Sequence, residues 1–336
     1  MKLKERISAL VQLGNYMRSP DEQWSEVKER AHGANNWFIP QFIDLAAQNI
    51  TDVFLQSQTL EDLAARYSIP DENPEPKKVG IVMAGNIPMV GFHDMMCAFL
   101  TGHYAYIKPS GKDEILMKHL AEKLNALSAP EVPIVVAEML KGCDAYIATG
   151  SNNSSRYFDY YFGKYPHIIR RNRTSIAVLT GNETDEELSK LADDVHQYFG
   201  LGCRNVTKLL VPKGYDFVPL LHAFKKYSFF ENHHKYKNNY DHNLAMHILN
   251  NRFYMTNGSS ILLVEDEALF SPIAQLHYAF YSAPEEAEAT LQKEASIQCV
   301  VGQQHTPFGA AQNPAIDVFA DGIDTLKFLV DLQAKT

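Results

Sequence analysis

Along the first 70 residues, apolar positions recur at the spacing of helix faces: Ile7, Leu10, Val11 and Leu13, then Phe38, Phe42, Leu45, Ala46, Ile50, Val53 and Phe54. The spacing predicts a helical preface. It stops at Ile69-Pro70-Asp71-Glu72-Asn73-Pro74-Glu75-Pro76-Lys77-Lys78, where three prolines and many charges oppose helix and strand alike and mark a surface connection. From Val79 the period changes. Short β-rich runs alternate with amphipathic stretches over Val79–Met83, Met89–Leu100, Tyr104–Ile107, Asp113–Leu127, Ile134–Leu140, Asp144–Ala148 and Ser175–Leu179. Such alternation predicts a parallel sheet covered by helices on both faces, so a nucleotide-binding α/β fold is the first expectation. A helix over Asp185–Tyr198 then leads through Gly200-Leu201-Gly202-Cys203-Arg204 into a strand over Val206–Val211, where the reading starts a second α/β unit. That unit continues with Phe217–Lys226, Asn238–Asn250, Ser260–Val264, Pro272–Phe280, Pro284–Ala295 and Ile297–Val301. Neither an internal repeat nor a low-complexity tract interrupts it.

Composition narrows the class. A chain of 336 residues that is 46% hydrophobic and 21% charged has ample core-forming material, and its length favours two domains over one. Lys and Arg number 31 against 40 Asp and Glu, a formal charge of −9, so no overall positive field draws a phosphate backbone and nucleic acid is not an expected partner. Cys97, Cys143, Cys203 and Cys299 stand far apart with no C-x-x-C pair, which fits a reducing compartment better than a disulfide framework or zinc ribbon. No uncharged run approaches the roughly 18 residues needed to span a bilayer. The opening Met-Lys-Leu-Lys-Glu-Arg leads into no apolar secretion core, so the expected location is the cytoplasm.

Several positions could carry chemistry. Cys203 follows Gly200-Leu201-Gly202, which lets backbone and ligand approach closely, and precedes Arg204, whose charge favours the thiolate. The opposing reading is a buried, inert cysteine. Asn86 lies in Asn86-Ile87-Pro88 after the first strand; it is either the N-cap of the next helix, with Pro88 in its first turn, or an amide ready to donate to an oxyanion beyond the strand end. Lys108-Pro109-Ser110 and Thr149-Gly150-Ser151 close two further strands and suit a ribose and a phosphate. Neither G-x-G-x-x-G nor the P-loop pattern follows these strands, so a standard dinucleotide or kinase-type loop is disfavoured. His233, His234, His242 and His247 form no H-E-x-x-H motif and give no metal site, while His305, in Gln303-Gln304-His305-Thr306-Pro307, is either a proton-transfer group or a turn histidine.

Taken in order, a strand with Asn86-x-Pro88, then Ile107-Lys108-Pro109-Ser110, then Ala148-Thr149-Gly150-Ser151, then Phe199-Gly200-x-Gly202-Cys203-Arg204, the chain resembles the aldehyde dehydrogenase superfamily. The run Pro307–Ile316, the following Asp317–Phe328 and the stretch His233–Asp241 are similar to its acyl-CoA reductase branch, the luminescence fatty-acid reductase type. The likeness spans roughly residues 30 to 330.

The resemblance implies two α/β domains with parallel-type sheets: a Rossmann-like cofactor domain over residues 1–196 with the helical preface, a catalytic thiol domain over 197–308, and a C-terminal segment, 309–336, returning to the cofactor domain. It implies that Cys203 attacks the acyl-CoA carbonyl, that Asn86 and the Cys203 N–H hold the oxyanion, and that a reduced nicotinamide binds with Lys108 at its adenosine ribose and Ser151 near its pyrophosphate, Ser110 and Gly150 shaping those two loops. The oxidising members carry a Glu-Leu-Gly-Gly base for thioester hydrolysis, whereas the aligned run here is His167-Ile168-Ile169-Arg170-Arg171-Asn172-Arg173. Without that carboxylate a thioester survives to accept hydride or exchange with CoA. The glutamate that would bind the 2′-hydroxyl of NAD is replaced by Gly111, with Lys112 next, which favours NADPH over NADH. The family's second glutamate, at the nicotinamide ribose, has no clear counterpart near Pro307-Phe308-Gly309. By the same resemblance an acyl-delivering enzyme is an expected partner; a second copy of the chain is also expected, although the hairpin that related enzymes use for assembly is not evident. The alternatives are a cysteine acyltransferase or thioesterase pairing Cys203 with a histidine such as His305, and a non-catalytic acyl-binding subunit.

Overall fold

The computed structural model describes residues 1–128 and 133–332. The chain divides into two compact units, Met1–Asn172 with Pro314–Thr336, and Arg173–Asn313. Both are α/β with parallel sheets.

Unit one opens with the helical preface: α1 (Leu3–Arg18), α2 (Glu22–Ala34), α3 (Pro40–Asn49) and α4 (Ser57–Arg66). The apolar spacing of α1 puts Ile7, Leu10 and Leu13 in the core. Arg6, also fully buried, donates to the carbonyl oxygens of Leu100 (2.9 Å), Met1 (2.7 Å) and Pro70 (3.0 Å), which fastens the preface to the α/β layer. The sheet then forms from β1 (Lys78–Val82), α5 (Phe92–Leu100), β2 (Tyr104–Lys108), α6 (Glu114–Leu127), β3 (Ile134–Val136), β4 (Ala145–Thr149), α7 (Asn152–Phe162) and β5 (His167–Arg170). Among the described residues it has five strands, all parallel, in the order β3-β2-β1-β4-β5. The strand order reverses direction between β1 and β4. That reversal opens a crevice at the carboxyl ends of those two strands, where ligands of open α/β sheets bind.

The helix Thr325–Asp331 also belongs to unit one and packs on α5. A buried ion pair holds it: Arg170 on β5 donates to Asp94 on α5 (2.6 and 3.0 Å) and to the Thr325 hydroxyl (2.7 Å). Two charges removed from water stay stable only when their hydrogen bonds are met in this way.

Unit two carries β6 (Thr174–Val178), α8 (Asp185–His196), β7 (Val206–Pro212), α9 (Val218–Ala223), α10 (His234–Leu249), β8 (Met255–Thr256), β9 (Leu262–Glu265), β10 (Gln275–Tyr281), α11 (Pro284–Lys293) and β11 (Ile297–Val301). The sheet order is β11-β6-β7-β10-β9-β8, parallel except for β8, which runs antiparallel to β9. The strand expected over Ser175–Leu179 therefore lies between β11 and β7 in this sheet. Thr184 and Glu187 form a capping box that fixes the start of α8. Among the described residues no helix is long and apolar enough to cross a membrane.

Candidate active site

In unit one the residues singled out from the sequence lie in the loops after β1, β2 and β4, three neighbouring strands of the parallel sheet. The Met83 N–H donates to the Lys108 carbonyl (3.0 Å), extending the β1–β2 ladder by one bond. At Gly85 a Cβ would lie 2.6 Å from the Ser110 Cβ and 2.7 Å from its hydroxyl, so the loops after β1 and β2 touch and only glycine fits between them. Gly150 meets the same limit, with Phe158 2.8 Å and Ser154 3.0 Å from where its Cβ would be. Ser151 is the N-cap of α7 and accepts the Ser154 N–H (3.2 Å). Lys108 and Lys112 are exposed, and a Cβ at Gly111 would meet nothing within 4 Å. The Lys112 carbonyl is anchored by the Asn35 amide (3.1 Å).

Asn86 is half-buried in the turn after β1, and it is not the cap of α5. That helix starts only at Phe92 with Gly91 as N-cap, so Pro88 is outside its first turn. The intervening chain is held in a turn by Met89, whose φ of 56° is left-handed. The Met89 N–H donates to the Asp113 Oδ2 (2.8 Å). Asp113 sits at the N-cap position of α6, yet it gives its carboxyl to this turn and caps nothing in its own helix. Burial pushes that carboxyl well above the usual range, against the opposing pull of the Met89 N–H bond. Asp113 went unnoticed in the sequence because Lys112-Asp113-Glu114 reads as an ordinary helix start.

Unit two holds Cys203. Cys97, Cys143 and Cys299 are buried, and of the four cysteines only Cys203 is partly exposed. The approach to it is strained: Tyr198, Phe199 and Gly200 take φ values of 54°, 58° and 73°, and two of them carry side chains. Non-glycine residues persist in that region only where their surroundings hold them, at about 1–3 kcal/mol each. The fully buried Asn205 does so here. Its amide donates to the carbonyl oxygens of Asp194 (3.1 Å), Val195 (3.3 Å) and Gln197 (2.9 Å), and its Oδ1 accepts the Gly202 N–H (2.8 Å). From β6, the Ser175 hydroxyl donates to the Cys203 carbonyl (3.1 Å). The turn that presents the thiol is thus tied to the end of α8 and to the sheet.

Asp194 extends the frame. It accepts the N–H groups of Gly309 (2.6 Å) and Ala311 (3.0 Å), and burial raises its pKa to about 6 although both bonds oppose the shift. Neither Asn205 nor Asp194 was singled out from the sequence. Their partners are backbone groups, which leave no residue pattern to read.

Of the histidines singled out from the sequence, His234 and His242 are exposed and the other three have structural employment. His233 caps α10 by accepting the Tyr236 N–H (3.2 Å), His247 is buried near Tyr254, and His305 pairs with Glu288 (3.1 Å). Among the described residues no three His, Cys, Asp or Glu side chains group to hold a metal ion.

No protein-family model and no curated protein matches the sequence. Solved structures do match. A succinic semialdehyde dehydrogenase from Streptococcus pyogenes in complex with NADP+ is similar at a TM-score of 0.68 and 14% identity over 98% of this chain and 88% of that one. Aldehyde dehydrogenase 21 from Physcomitrella patens, in complex with the reaction product succinate, reaches 0.69 at 13% identity over 98% and 84%. A Mycobacterium tuberculosis aldehyde dehydrogenase complexed with NAD+ reaches 0.62 at 14% over 86% and 70%. The chain has the aldehyde dehydrogenase fold, with two α/β units built on parallel sheets.

Proposed function

We propose that the protein reduces an acyl-CoA to the aldehyde with NADPH, through an acyl thioester on Cys203. The observation that carries the reading is the contrast among the four thiols: three are buried, and the fourth is presented by a strained turn that Asn205 and Ser175 hold in place. A framework of that kind suits a nucleophile that must meet a carbonyl in one orientation.

In the proposed sequence the Cys203 sulfur forms a bond to the acyl carbon while the bond to the CoA sulfur breaks, and CoA leaves as the thiol after taking a proton. Asn86 and the Cys203 N–H are assigned the developing oxyanion, and one such donor contributes about 3–4 kcal/mol. Reduced nicotinamide, when bound, supplies the hydride. Cys203 then departs from the hemithioacetal as the thiolate, and the aldehyde is released. Lys108, Ser110, Lys112, Gly150 and Ser151 are assigned to the cofactor.

Two features of the fold support this direction of reaction. On β5, where the oxidising enzymes would have their base, Arg170 is committed to Asp94 and Thr325, so that position offers no carboxylate to activate water. At the end of β2, open space at Gly111 beside exposed Lys112 suits a 2′-phosphate, which favours NADPH. The reading includes an acyl-delivering enzyme as the source of substrate, a homodimer and a cytoplasmic location.

The test is NADPH oxidation with acyl-CoAs of several chain lengths, followed at the nicotinamide absorbance band. Cys203→Ala should lose turnover and covalent acyl labelling together. Turnover retained by that variant removes the cysteine from the mechanism.

A further inference from the structure

Asn86 stands between two contacts with one residue of the neighbouring loop. Just before it, Gly85 packs so closely that a Cβ there would lie 3.3 Å from the Asp113 Cβ. Three residues after it, the Met89 N–H donates to the Asp113 Oδ2 (2.8 Å). Met89 is itself buried and left-handed at φ 56°, a conformation that a side chain keeps only where its surroundings hold it.

The residue that holds it is firmly placed. Asp113 is buried, its N–H donates to the Ser110 carbonyl (2.9 Å), and its own carbonyl accepts the Met117 N–H near the start of α6 (3.3 Å). An aspartate at a helix start ordinarily accepts the free N–H groups of that helix. Here the side chain makes no cap, Oδ2 is given to another loop, and Oδ1 has no hydrogen-bond partner among the described residues. Burying a carboxyl that leaves one oxygen unpaired costs stability. A local rule broken in this way, inside the loops that carry Asn86, Lys108, Ser110 and Lys112, points to a role in the site rather than in the helix.

We infer that Asp113 is a positioning residue for the oxyanion donor: by packing on Gly85 and holding the Met89 N–H it sets the place of the Asn86 amide. The inference rests on the reaction proposed above, in which Asn86 is assigned the oxyanion. A donor stabilises an oxyanion only when it is aimed at the point where charge develops. A misplacement of about 1 Å costs about a hundredfold in rate, so a turn released at Met89 weakens the donor without touching it.

The test is a double-mutant cycle on the full chain, read as the rate of Cys203 labelling by hexanoyl-CoA without NADPH, so that the cofactor step does not enter. Asp113→Ala should slow labelling at least about tenfold when Asn86 is present and change it less than about twofold in an Asn86→Ala background. Asp113→Asn keeps an acceptor oxygen for Met89 and should restore labelling to within about threefold of the original rate. Hydrogen exchange reads the turn without the reaction: the Met89 amide should be protected in the unmodified protein and in Asp113→Asn, and exchange at least about tenfold faster in Asp113→Ala. Should the alanine variant fail to fold, Asp113→Ser takes its place, since serine suits a helix N-cap while its shorter side chain stops short of Met89. Equal slowing in both backgrounds, or unchanged labelling in a folded variant whose Met89 amide has lost protection, overturns the positioning role and leaves Cys203 as the nucleophile. A Met89 amide equally protected in Asp113→Ala overturns the hold itself. Labelling at the original rate in Asn86→Ala removes Asn86 from the oxyanion and this role with it. An unmodified protein that no hexanoyl-CoA labels overturns the proposed reaction, and the positioning role falls with it.

Discussion

Replacing Asn205 by alanine removes a side chain that ties the Cys203 turn to the end of α8. The substitution leaves the buried Gly202 N–H without its acceptor, which costs about 1–3 kcal/mol for a buried donor. The lost amide hydrogens were shared among the carbonyls of Asp194, Val195 and Gln197, and their loss adds about 1–2 kcal/mol at the usual net worth of such bonds. The turn also loses a restraint on left-handed Tyr198 and Phe199, which relax once nothing opposes them. Chemical denaturation should therefore report a loss of about 2–5 kcal/mol. Labelling separates positioning from folding. Under conditions where the variant is folded, acyl-CoA labelling of Cys203 should fall at least tenfold, because the carbonyl must be met in one orientation, whereas alkylation by iodoacetamide, which needs only access, should stay within about threefold. Asn205→Asp keeps the acceptor for Gly202 but sets a carboxylate against three carbonyl oxygens, so at neutral pH it should be no more stable than the alanine variant. A stability loss below about 0.5 kcal/mol, or acyl labelling at the original rate, would refute the idea that Asn205 holds the turn.

Asp194 should make stability depend on pH: its folded pKa of about 6 lies above the unfolded value of about 3.9, so folding takes up a proton between them, and about 3 kcal/mol of stability present below pH 4 is lost as pH rises through 6. The difference between Asp194→Asn and the unmodified protein should move in the variant's favour over that window and stay level above it; His196, held down to about 4 by burial, contributes the opposite slope to both proteins and cancels in the difference. Arg170→Met should lower the stability of the protein by about 3–5 kcal/mol, because it strands the Asp94 carboxylate in the core, and adding Asp94→Leu should recover part of the loss in the same denaturation assay. Lys112→Glu should lower the ratio of NADPH to NADH efficiency at least tenfold with little change in Cys203 labelling, whereas an unchanged ratio would remove that lysine from cofactor choice.

What the sequence disclosed follows from where the physics is local. Strands such as Val79–Met83 and Val206–Val211 are apolar runs bounded by loop signals, and they stand within a residue of where they were expected. Cys203 drew notice in the sequence because its glycines and Arg204 are its chain neighbours. Helix α7 and strand β5 were passed over as a gap. α7 buries only Ser155 and leaves Tyr157, Tyr160 and Tyr161 exposed, so it shows no apolar stripe to the core, and β5 is four residues long with an exposed His167 and a buried Arg170. Val79–Met83 and Ser175–Leu179 look alike as runs, and only pairing with β7 and β11 assigns the latter to the second sheet. Asn86 beside Pro88 imitates a helix start, and the left-handed Met89 pinned by Asp113 is what delays the helix to Phe92. Asp113, Asn205 and Asp194 act on backbone amides and carbonyls distant in sequence or hidden inside turns. Those contacts exist only once the chain has folded.

The central claim is that Cys203 carries the acyl group, and intact mass spectrometry after incubation with hexanoyl-CoA tests it most directly. The account predicts one added hexanoyl mass that maps to Cys203, is absent from Cys203→Ala, and disappears on adding NADPH as hexanal forms. An unmodified protein, an adduct on another residue, or an adduct that NADPH leaves in place would contradict it.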